Sequence, residues 1–288
     1  MNFLKTLFSP ITAFLGFIQN YFKSLLFLLI LFFLFSSADP DGLRQPNLMK
    51  IHLSGPIMSS ASVLEDIEQA EKDHIKGVLF IVDSPGGAVP PSIEIAEALK
   101  RLKDKKPVIA YAAGTMASGS YYASIYADKI IANRGSMIGS IGVIMQGYNI
   151  AEIMQKVGVK EQTVSKGIYK QMGTMTREWN AVEKAELDRL IGDTYTMFVT
   201  DVAAARGLDM NNSAAFADAH VFSAKRAMSV GLIDELGTLY DAKKEVEKVT
   251  KVTLPVWNTE SKVDKLMSRL VRDGAAKIYT LFSGLKAY

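Results

Sequence analysis

A run of small residues that follows an apolar segment is the first part of this sequence that could carry out chemistry. Residues 107–113 have the composition of a buried strand, and residues 114–122 (GTMASGSYY) lead from it into an apolar helical pattern. A small polar side chain at such a turn lies at a helix N-terminus, where free N–H groups and the helix dipole favour developing negative charge. Ser118 is therefore a candidate nucleophile, although a serine in this position is more often an ordinary helix cap.

A second candidate is the DSPGG loop, residues 83–87, which follows another apolar strand pattern. Open α/β sheets bind ligands beyond the carboxyl ends of their parallel strands. Glycine lets a substrate carbonyl approach the main chain, so that Gly86 or Gly87 could donate to an oxyanion, although an isolated Pro-Gly-Gly is usually a turn. Ser118 follows one β-α unit later, so the two loops could place a nucleophile opposite an oxyanion donor. The N–H of Gly119 would then be the second donor.

A nucleophilic serine needs a general base, and histidine is the usual one. The chain has three histidines: His52, His74 and His220. Only His220 lies near a predicted loop. His220 as the general base of Ser118 is the less favoured of two possibilities. The other is a lysine whose pKa is lowered by burial, because desolvation disfavours the charged form. Lys166 and Lys170 lie in a loop that leaves a predicted strand, but residue types alone do not choose between the lysines of this chain.

The elements that must position these residues alternate between strand and helix. Strands are predicted at residues 48–53, 76–82, 107–112, 129–132, 138–145 and 161–165, and helices at 60–73, 91–103, 118–127, 151–157, 177–206, 223–230 and 240–248. The long helix has a start signal, because Thr176 can cap it and Glu178 lies in its first turn. This alternation predicts an α/β domain with a largely parallel sheet.

The N-terminal region carries an uninterrupted apolar run, LLFLLILFFLF, at residues 25–35. Extended towards the N-terminus, it approaches membrane-spanning length. Residues 36–38 (SSA) could form a signal-peptidase cleavage site, but the long apolar region before the run favours a retained anchor. Lysines precede the run and aspartates follow it, which places the N-terminus in the cytoplasm and the remaining chain outside. Either interpretation exports the main domain.

These patterns predict four regions. Residues 1–38 form an N-terminal segment with a transmembrane signal anchor, residues 39–47 a linker, residues 48–250 the catalytic domain, and residues 251–288 a C-terminal tail. Apolar residues recur at helical spacing within the tail, opposite a basic face. This pattern suits an amphipathic helix for self-association or a membrane surface, or equally a helix packed against the domain.

Composition excludes some classes of function. The chain has 33 Lys and Arg against 30 Asp and Glu, without a basic stripe, so it carries no nucleic-acid signature. It has no cysteine, which excludes disulfides, thiolate nucleophiles and cysteine-based metal sites.

Several short motifs occur in one order along the chain. They are the DSPGG loop, ASGSYY at residues 117–122, GSIGV at 139–143, SKGIYK at 165–170 and GLIDELG at 231–237. In residue type and spacing this series resembles the signal peptide peptidase A (protease IV) family, in its short, single-repeat bacterial form. The resemblance extends from about residue 48 to residue 246.

The resemblance implies a set of roles. The family nucleophile corresponds to Ser118, and the general base to Lys170, 52 residues later. Ser140 corresponds to the serine that orients the lysine amine, and the oxyanion N–H groups correspond to Gly87 and Gly119. No metal or cofactor is implied.

The resemblance also implies a ClpP/crotonase-like superfold of repeated β-β-α units and ring- or dome-shaped homo-oligomers. In short forms the serine and the lysine of one site can come from neighbouring subunits. Two departures stand out: Ser120 occupies a position where glycine is commoner, and Ala219-His220 replaces a usual Gly-Arg.

The expected function is that of a membrane-anchored serine endopeptidase with a Ser-Lys dyad. Its expected substrates are signal-peptide remnants and other membrane-associated peptides, and its expected location is the bacterial inner membrane, as a single-pass protein with an extracytoplasmic catalytic domain. The alternatives are a SohB-like or stomatin-cleaving membrane protease of the same superfold, a crotonase-type acyl-CoA enzyme, a ClpP-like protease with a Ser-His-Asp triad, and a non-enzymatic scaffold. The Ser-His-Asp triad is disfavoured because no histidine lies between His74 and His220, in the stretch after Ser118 where its base is expected.

Overall fold

The computed structural model describes residues 17–29 and 45–258. Residues 17–29 are helical (α1), and residues 47–258 belong to a separate α/β unit. None of the helices in these two ranges is both long enough and apolar enough to span a membrane. Most of the predicted anchor and residues 259–288 of the predicted tail lie outside the described residues.

The α/β unit is built on a seven-stranded sheet. Its strands are β1 (Leu48–Ser54), β2 (Gly77–Ser84), β3 (Val108–Ala117), β4 (Lys129–Ala132), β5 (Met137–Gly139), β6 (Val221–Ser223) and β7 (Glu235–Leu236). The main path runs β1-β2-β3-β4-β7 and is parallel throughout. The first half of β3 pairs with β4 and its end pairs with β5, which in turn pairs antiparallel with β6. The long β3 therefore connects the main sheet to a small outer sheet.

Helices cover both faces of the main sheet. The α-helices of this unit are α2 (Ala61–Ala70), α3 (Val89–Lys103), α4 (Gly119–Ser124), α5 (Ala151–Lys156), α6 (Ala181–Arg206), α7 (Ala224–Ser229) and α8 (Leu239–Thr250), of which α5 has no buried residue and does not contribute to this cover. Successive side chains of β2 point to opposite faces of the sheet. Phe80 packs in a large cluster with α2, α3, α4 and α6, whereas Leu79 packs against α8 on the other face. Because β2 is buried on both faces, its sequence is continuously apolar, as is typical of parallel strands.

The structure confirms the predicted α/β class and the positions of β1, β2 and β4 within two residues, whereas β3 extends five residues beyond its predicted end, to Ala117. It corrects three further details. The strand predicted at residues 138–145 ends at Gly139, and the segment predicted as a strand at 161–165 is neither strand nor helix. The long helix begins at Ala181 rather than at residue 177, because Asn180 and Glu183 form a capping box, whereas Thr176 hydrogen-bonds Thr174.

Residues 254–258, within the predicted tail, pack along the start of β1. The side-chain amide of Asn258 accepts a hydrogen bond from the N–H of Lys50 at 2.7 Å and donates one to the carbonyl of Lys50 at 3.1 Å. Reciprocally, the Asn47 side chain accepts a hydrogen bond from the N–H of Val256 and donates one to the carbonyl of Leu254, each at 2.8 Å. We call this arrangement the asparagine clasp. It holds residues 254–258 parallel to β1, with a bridge between Leu48 and Trp257.

The start of α6 carries a buried ion pair with a pH dependence that can be measured. The Glu183 side chain is 1% exposed, accepts two hydrogen bonds from Arg177 at 2.9 and 2.6 Å, and accepts one from the N–H of Asn180. The Arg177 guanidinium, and then the Asn180 N–H, lower the pKa of Glu183 from 4.5 to about 2. A carboxyl whose folded-state pKa is lowered contributes stability above its unfolded pKa and loses it as the pH falls towards its folded pKa.

We therefore expect Glu183→Gln to unfold more easily than the unchanged protein at neutral pH. The difference should narrow as the pH falls from 4.5 to about 2, because protonation of Glu183 then removes from the unchanged protein the interaction that the variant already lacks. Urea unfolding of both proteins at a series of pH values measures this difference in the free energy of unfolding. Glu186→Gln is the matched control, because Glu186 makes only a surface pair with Arg189, one turn away on the same helix. A pH-independent difference for Glu183→Gln would contradict the prediction.

Candidate active site

Ser118 lies at the junction of β3 and α4 in a strained backbone conformation. Its φ is 53° and its ψ is −127°, a region that residues with a side chain seldom adopt. Its N–H donates to the carbonyl of Gly139 at 2.7 Å, and its carbonyl accepts from the N–H of Tyr122 at 3.0 Å. The Ser118 side chain makes no capping hydrogen bond to α4. The hydroxyl is therefore not used as an ordinary helix cap, and the pairing of β3 with β5 holds the strained turn in place.

The DSPGG loop directly contacts this turn. A Cβ atom added to Gly86 would lie 2.6 Å from the nitrogen of Gly119 and 2.8 Å from the Cβ of Ser118. A Cβ added to Gly119 would lie 3.3 Å from the nitrogen of Gly87. Glycine at these positions therefore allows two backbone segments to approach each other more closely than side chains would permit.

The two glycines of the loop differ in the use of their N–H groups. The N–H of Gly86 donates to the Ser84 hydroxyl at 3.2 Å. The N–H groups of Gly87 and Gly119 have no acceptor among the residues that the structure describes. An unpaired N–H close to a nucleophile is the feature that an oxyanion site requires. Of the two loop glycines, Gly87 is thus the one with a donor available.

Ser118, Gly87 and Gly119 line one recess, which is open to solvent. We call it the Ser118 recess. Its remaining walls are mainly apolar and come from α3, α4, the segment after β5, and α6: Val89, Ser92, Ile93, Tyr122, Gly142, Val143, Thr194, Met197 and Phe198. No lysine, histidine, aspartate or glutamate is among these lining residues. The recess suits an apolar side chain and lacks a general base of its own.

Tyr122 fixes one wall of the recess. Its hydroxyl donates to the Asp201 carboxylate on α6, and its ring packs edge-on against Phe198, with the centroids 5.1 Å apart. Burial and then the bond to Asp201 raise the pKa of Tyr122 well above its usual value. The tyrosine therefore stays a neutral donor at physiological pH and ties α6 to the helix that begins beside Ser118.

The structure also places Ser140 beside the nucleophile turn. Ala117 pairs with Gly139 across β3 and β5, and Ser140 follows Gly139 directly. Ser140 is half-buried, has a φ of 50°, and donates its N–H to the carbonyl of His220 at 2.7 Å. The predicted nucleophile, both predicted oxyanion glycines and the predicted orienting serine are therefore close together in one chain.

Lys170 does not belong to this group within one chain. It is exposed, lies in a turn in which its N–H donates to the carbonyl of Gly167 at 3.2 Å, and does not line the Ser118 recess. Across residues 45–258, its amine has no hydrogen bond or ion pair. His220 does not line the Ser118 recess either, and its Nδ1 lies 3.2 Å from the carbonyl oxygen of Ala217.

Sequence reasoning missed the contribution of α6 to the recess. Thr194, Met197 and Phe198 line it, but in the sequence they are ordinary residues of an amphipathic helix. No motif distinguishes them, since the side chains that face the recess depend on how α6 packs. In the part of the chain that the structure describes, no three histidine, aspartate or glutamate side chains form a group that could hold a metal ion.

A strained serine at a strand-to-helix turn, beside unpaired backbone amides, is the arrangement of serine hydrolases built on α/β sheets. Comparison with known families narrows this class. Residues 100–253, more than half of the chain, match peptidase family S49, and the chain belongs to that family. The family predicted from the motifs and the class of serine peptidase are both confirmed.

Two relatives illustrate the match. A protein of Methanocaldococcus jannaschii named "Putative protease MJ0651" is 40% identical over 194 residues, which cover 67% of this chain and 62% of the relative. A protein of Enterococcus faecium named "Putative signal peptide peptidase SppA" is 33% identical over 228 residues, covering 74% of this chain and 66% of the relative. The chain thus spans less than two thirds of the length of each of these relatives.

Among solved structures, the chain is similar to a mutant of the 1510-N membrane-bound stomatin-specific protease. The TM-score is 0.50 at 14% identity, and the match covers 76% of this chain and all of the other. At this identity the likeness concerns the fold alone. It supports the mixed α/β class predicted from the sequence.

Proposed function

We propose that this protein is a serine endopeptidase in which Ser118 attacks the carbonyl of a peptide bond. The observation that carries the proposal is the Ser118 recess, where a strained serine lies beside the unpaired N–H groups of Gly87 and Gly119. Attack on the carbonyl places negative charge on its oxygen, and two fixed amides stabilise that charge without reorganising. The product is an acyl-enzyme, which water then hydrolyses.

The proposed general base is Lys170 from a neighbouring copy of the chain. The recess provides no base, while Lys170 is exposed on the same irregular segment as a series of apolar side chains. Ile144, Val164 and Ile168 are 86%, 99% and 76% exposed, and contact with a second copy would cover such side chains. A homo-oligomer would then complete the site, as the short forms of the family led us to expect.

In this arrangement the Lys170 amine removes the proton from the Ser118 hydroxyl and later gives it to the leaving amine of the substrate. Covering the amine in a contact between copies favours its neutral form, which is the form that can accept a proton. In this proposal the Ser140 hydroxyl, directly after β5, orients the amine. The chemistry is general acid–base and nucleophilic catalysis by side chains.

The proposed substrates are peptides with apolar side chains, among them signal-peptide remnants. The apolar walls of the recess support this proposal, and so does a relative named as a signal peptide peptidase. The proposed location is the bacterial inner membrane, with the catalytic domain outside. This proposal rests on the apolar sequence of residues 25–35 and on the charges that flank it.

The proposed function is tested by labelling the full chain with a serine-reactive acylating probe. We expect a single labelled site at Ser118, and no labelling of Ser118→Ala. Lys170→Ala should be labelled more slowly by about 100-fold or more, because a general base contributes about that much. Ser124→Ala, which removes another serine hydroxyl from the neighbouring helix, should be labelled at the normal rate. Labelling at another residue, or an unchanged rate without Lys170, would overturn the proposal.

A further inference from the structure

The backbone pairing of β2 and β3 is interrupted immediately before the site. The two strands pair residue by residue as far as Val82 and Ala112, and the next pair is Ser84 with Met116. β3 therefore uses four residues where β2 uses two, which forms a bulge. The DSPGG loop and the Ser118 turn both begin just beyond this bulge. The regular ladder of backbone hydrogen bonds thus does not by itself set the distance between them.

A buried hydroxyl is one of the connections between the two segments around the bulge. Ser120 is completely buried, and its hydroxyl donates to the carbonyl of Ser84 at 2.6 Å and accepts from the N–H of Ala117 at 2.8 Å. The Ala117 carbonyl lies 2.9 Å from the same oxygen. Ser84 precedes the proline of the DSPGG loop, and Ala117 precedes Ser118. One side chain therefore joins the DSPGG loop, at Ser84, to Ala117, the residue before the nucleophile.

We infer that Ser120 is a positioning residue that fixes the Gly87 amide relative to the Ser118 hydroxyl. The inference rests on the proposed function. Ser120 does not line the Ser118 recess, so it acts through the backbone that it connects. An oxyanion donor stabilises the transition state only within a narrow range of distances, about 2.7–3.1 Å. A loop that shifts by a few tenths of an ångström therefore loses rate without losing the capacity to bind a peptide.

The chain offers a matched control for this inference. Ser124 lies on the same short helix and is equally buried, and its hydroxyl donates to the carbonyl of Ser120 at 2.8 Å. This bond stays within α4 and connects neither loop. Ser120→Ala and Ser124→Ala remove the same atom from equally buried sites, so that a general loss of stability should affect both variants alike.

The experiment compares the unchanged full chain with Ser120→Ala, Ser124→Ala and Ser118→Ala in the hydrolysis of an apolar peptide. We expect Ser120→Ala to lower kcat by about 10- to 100-fold, with KM changed by less than about two-fold, since the removal of a whole oxyanion donor costs about 100- to 1,000-fold. A peptide aldehyde, which forms a tetrahedral oxyanion on the serine, should bind more weakly by the same factor as kcat/KM falls. Ser124→Ala should stay within about two-fold in all three quantities.

Equal kcat values for Ser120→Ala and Ser124→Ala would overturn the inference, as would a loss that appears in KM alone. If the unchanged protein is no more active than Ser118→Ala, the proposed function fails instead, so the two failures can be told apart. If Ser120→Ala does not fold, Ser120→Cys is measured in its place. Its thiol is a weaker hydrogen-bonding group. A lowered kcat with unchanged KM would then support the inference, and full activity would overturn it.

Discussion

Mixing two inactive variants, Ser118→Ala and Lys170→Ala, is expected to restore about a quarter of the wild-type activity. Each variant alone should fall below about a thousandth of the normal kcat, because nucleophile and base act as a unit. If each site takes its serine from one subunit and its lysine from the next, a random mixture gives half of the sites an intact serine, and about half of these an intact lysine. The restored activity follows from the exposure of Lys170 and from the lack of a base in the Ser118 recess.

The measurement uses the two variants co-expressed with different affinity tags and purified through both, so that every assembly contains both kinds of subunit. Peptide hydrolysis is then compared with that of doubly tagged wild-type assemblies. Doubly tagged assemblies of Ser118→Ala alone are the control for carry-over of active protein. Mixed assemblies without activity would show that serine and lysine must lie on the same chain, and would contradict the proposed origin of the base.

Replacing Gly87 by alanine is expected to reduce kcat by about 100- to 1,000-fold, which is the cost of removing one oxyanion donor. The added Cβ would lie 2.2 Å from the carbonyl oxygen of Ile57 and 2.6 Å from its nitrogen. Both are backbone atoms. The backbone of Ile57 is also hydrogen-bonded to the loop on both sides of Gly87, because the N–H of Ile57 donates to the carbonyl of Gly86 and the N–H of Ala88 donates to the carbonyl of Ile57. The loop must therefore move, and the Gly87 N–H moves with it.

Gly192→Ala is the matched control for this substitution. Gly192 is exposed on α6, and a Cβ there would meet no atom within 4 Å. We expect unchanged kcat and a helix more stable by up to about 1 kcal/mol, since alanine is the better helix former. Steady-state kinetics and thermal unfolding of both variants provide the comparison. A Gly87→Ala protein that is less stable but keeps kcat within about two-fold would show that the Gly87 amide is not an oxyanion donor.

The parts of the fold that the sequence predicts best are those that local patterns determine. β2 is apolar along its length because both of its faces are covered, and the turn at Ser118 follows from small residues between a strand and a helix. The predicted strand at residues 161–165 fails for a physical reason. Its residue types suit a strand, but no neighbouring strand pairs with it, and Val164 is 99% exposed.

In the candidate site, too, some residues can be predicted from local patterns and others depend on tertiary packing. Residue types identify Ser118, Gly119 and the two loop glycines as candidates, and the family resemblance selects Gly87 over Gly86. The apolar wall from α6 depends on tertiary packing, because Phe198 has no local feature that marks it. The function of the Ser120 hydroxyl was equally hidden. Its partners, Ser84 and Ala117, come together only once the bulge between β2 and β3 has formed.

The asparagine clasp has a consequence for how copies of this chain can associate. An outer strand with free N–H and C=O groups invites a strand from another molecule, which leads to continuous sheets and aggregation. The clasp occupies the start of β1 on one side, and on the opposite side β7 is only two residues long. Growth of the sheet from molecule to molecule is therefore disfavoured at both ends of its main path. The proposed homo-oligomer would then rest on side-chain contacts, which can close into an assembly of defined size, and not on a continuous sheet.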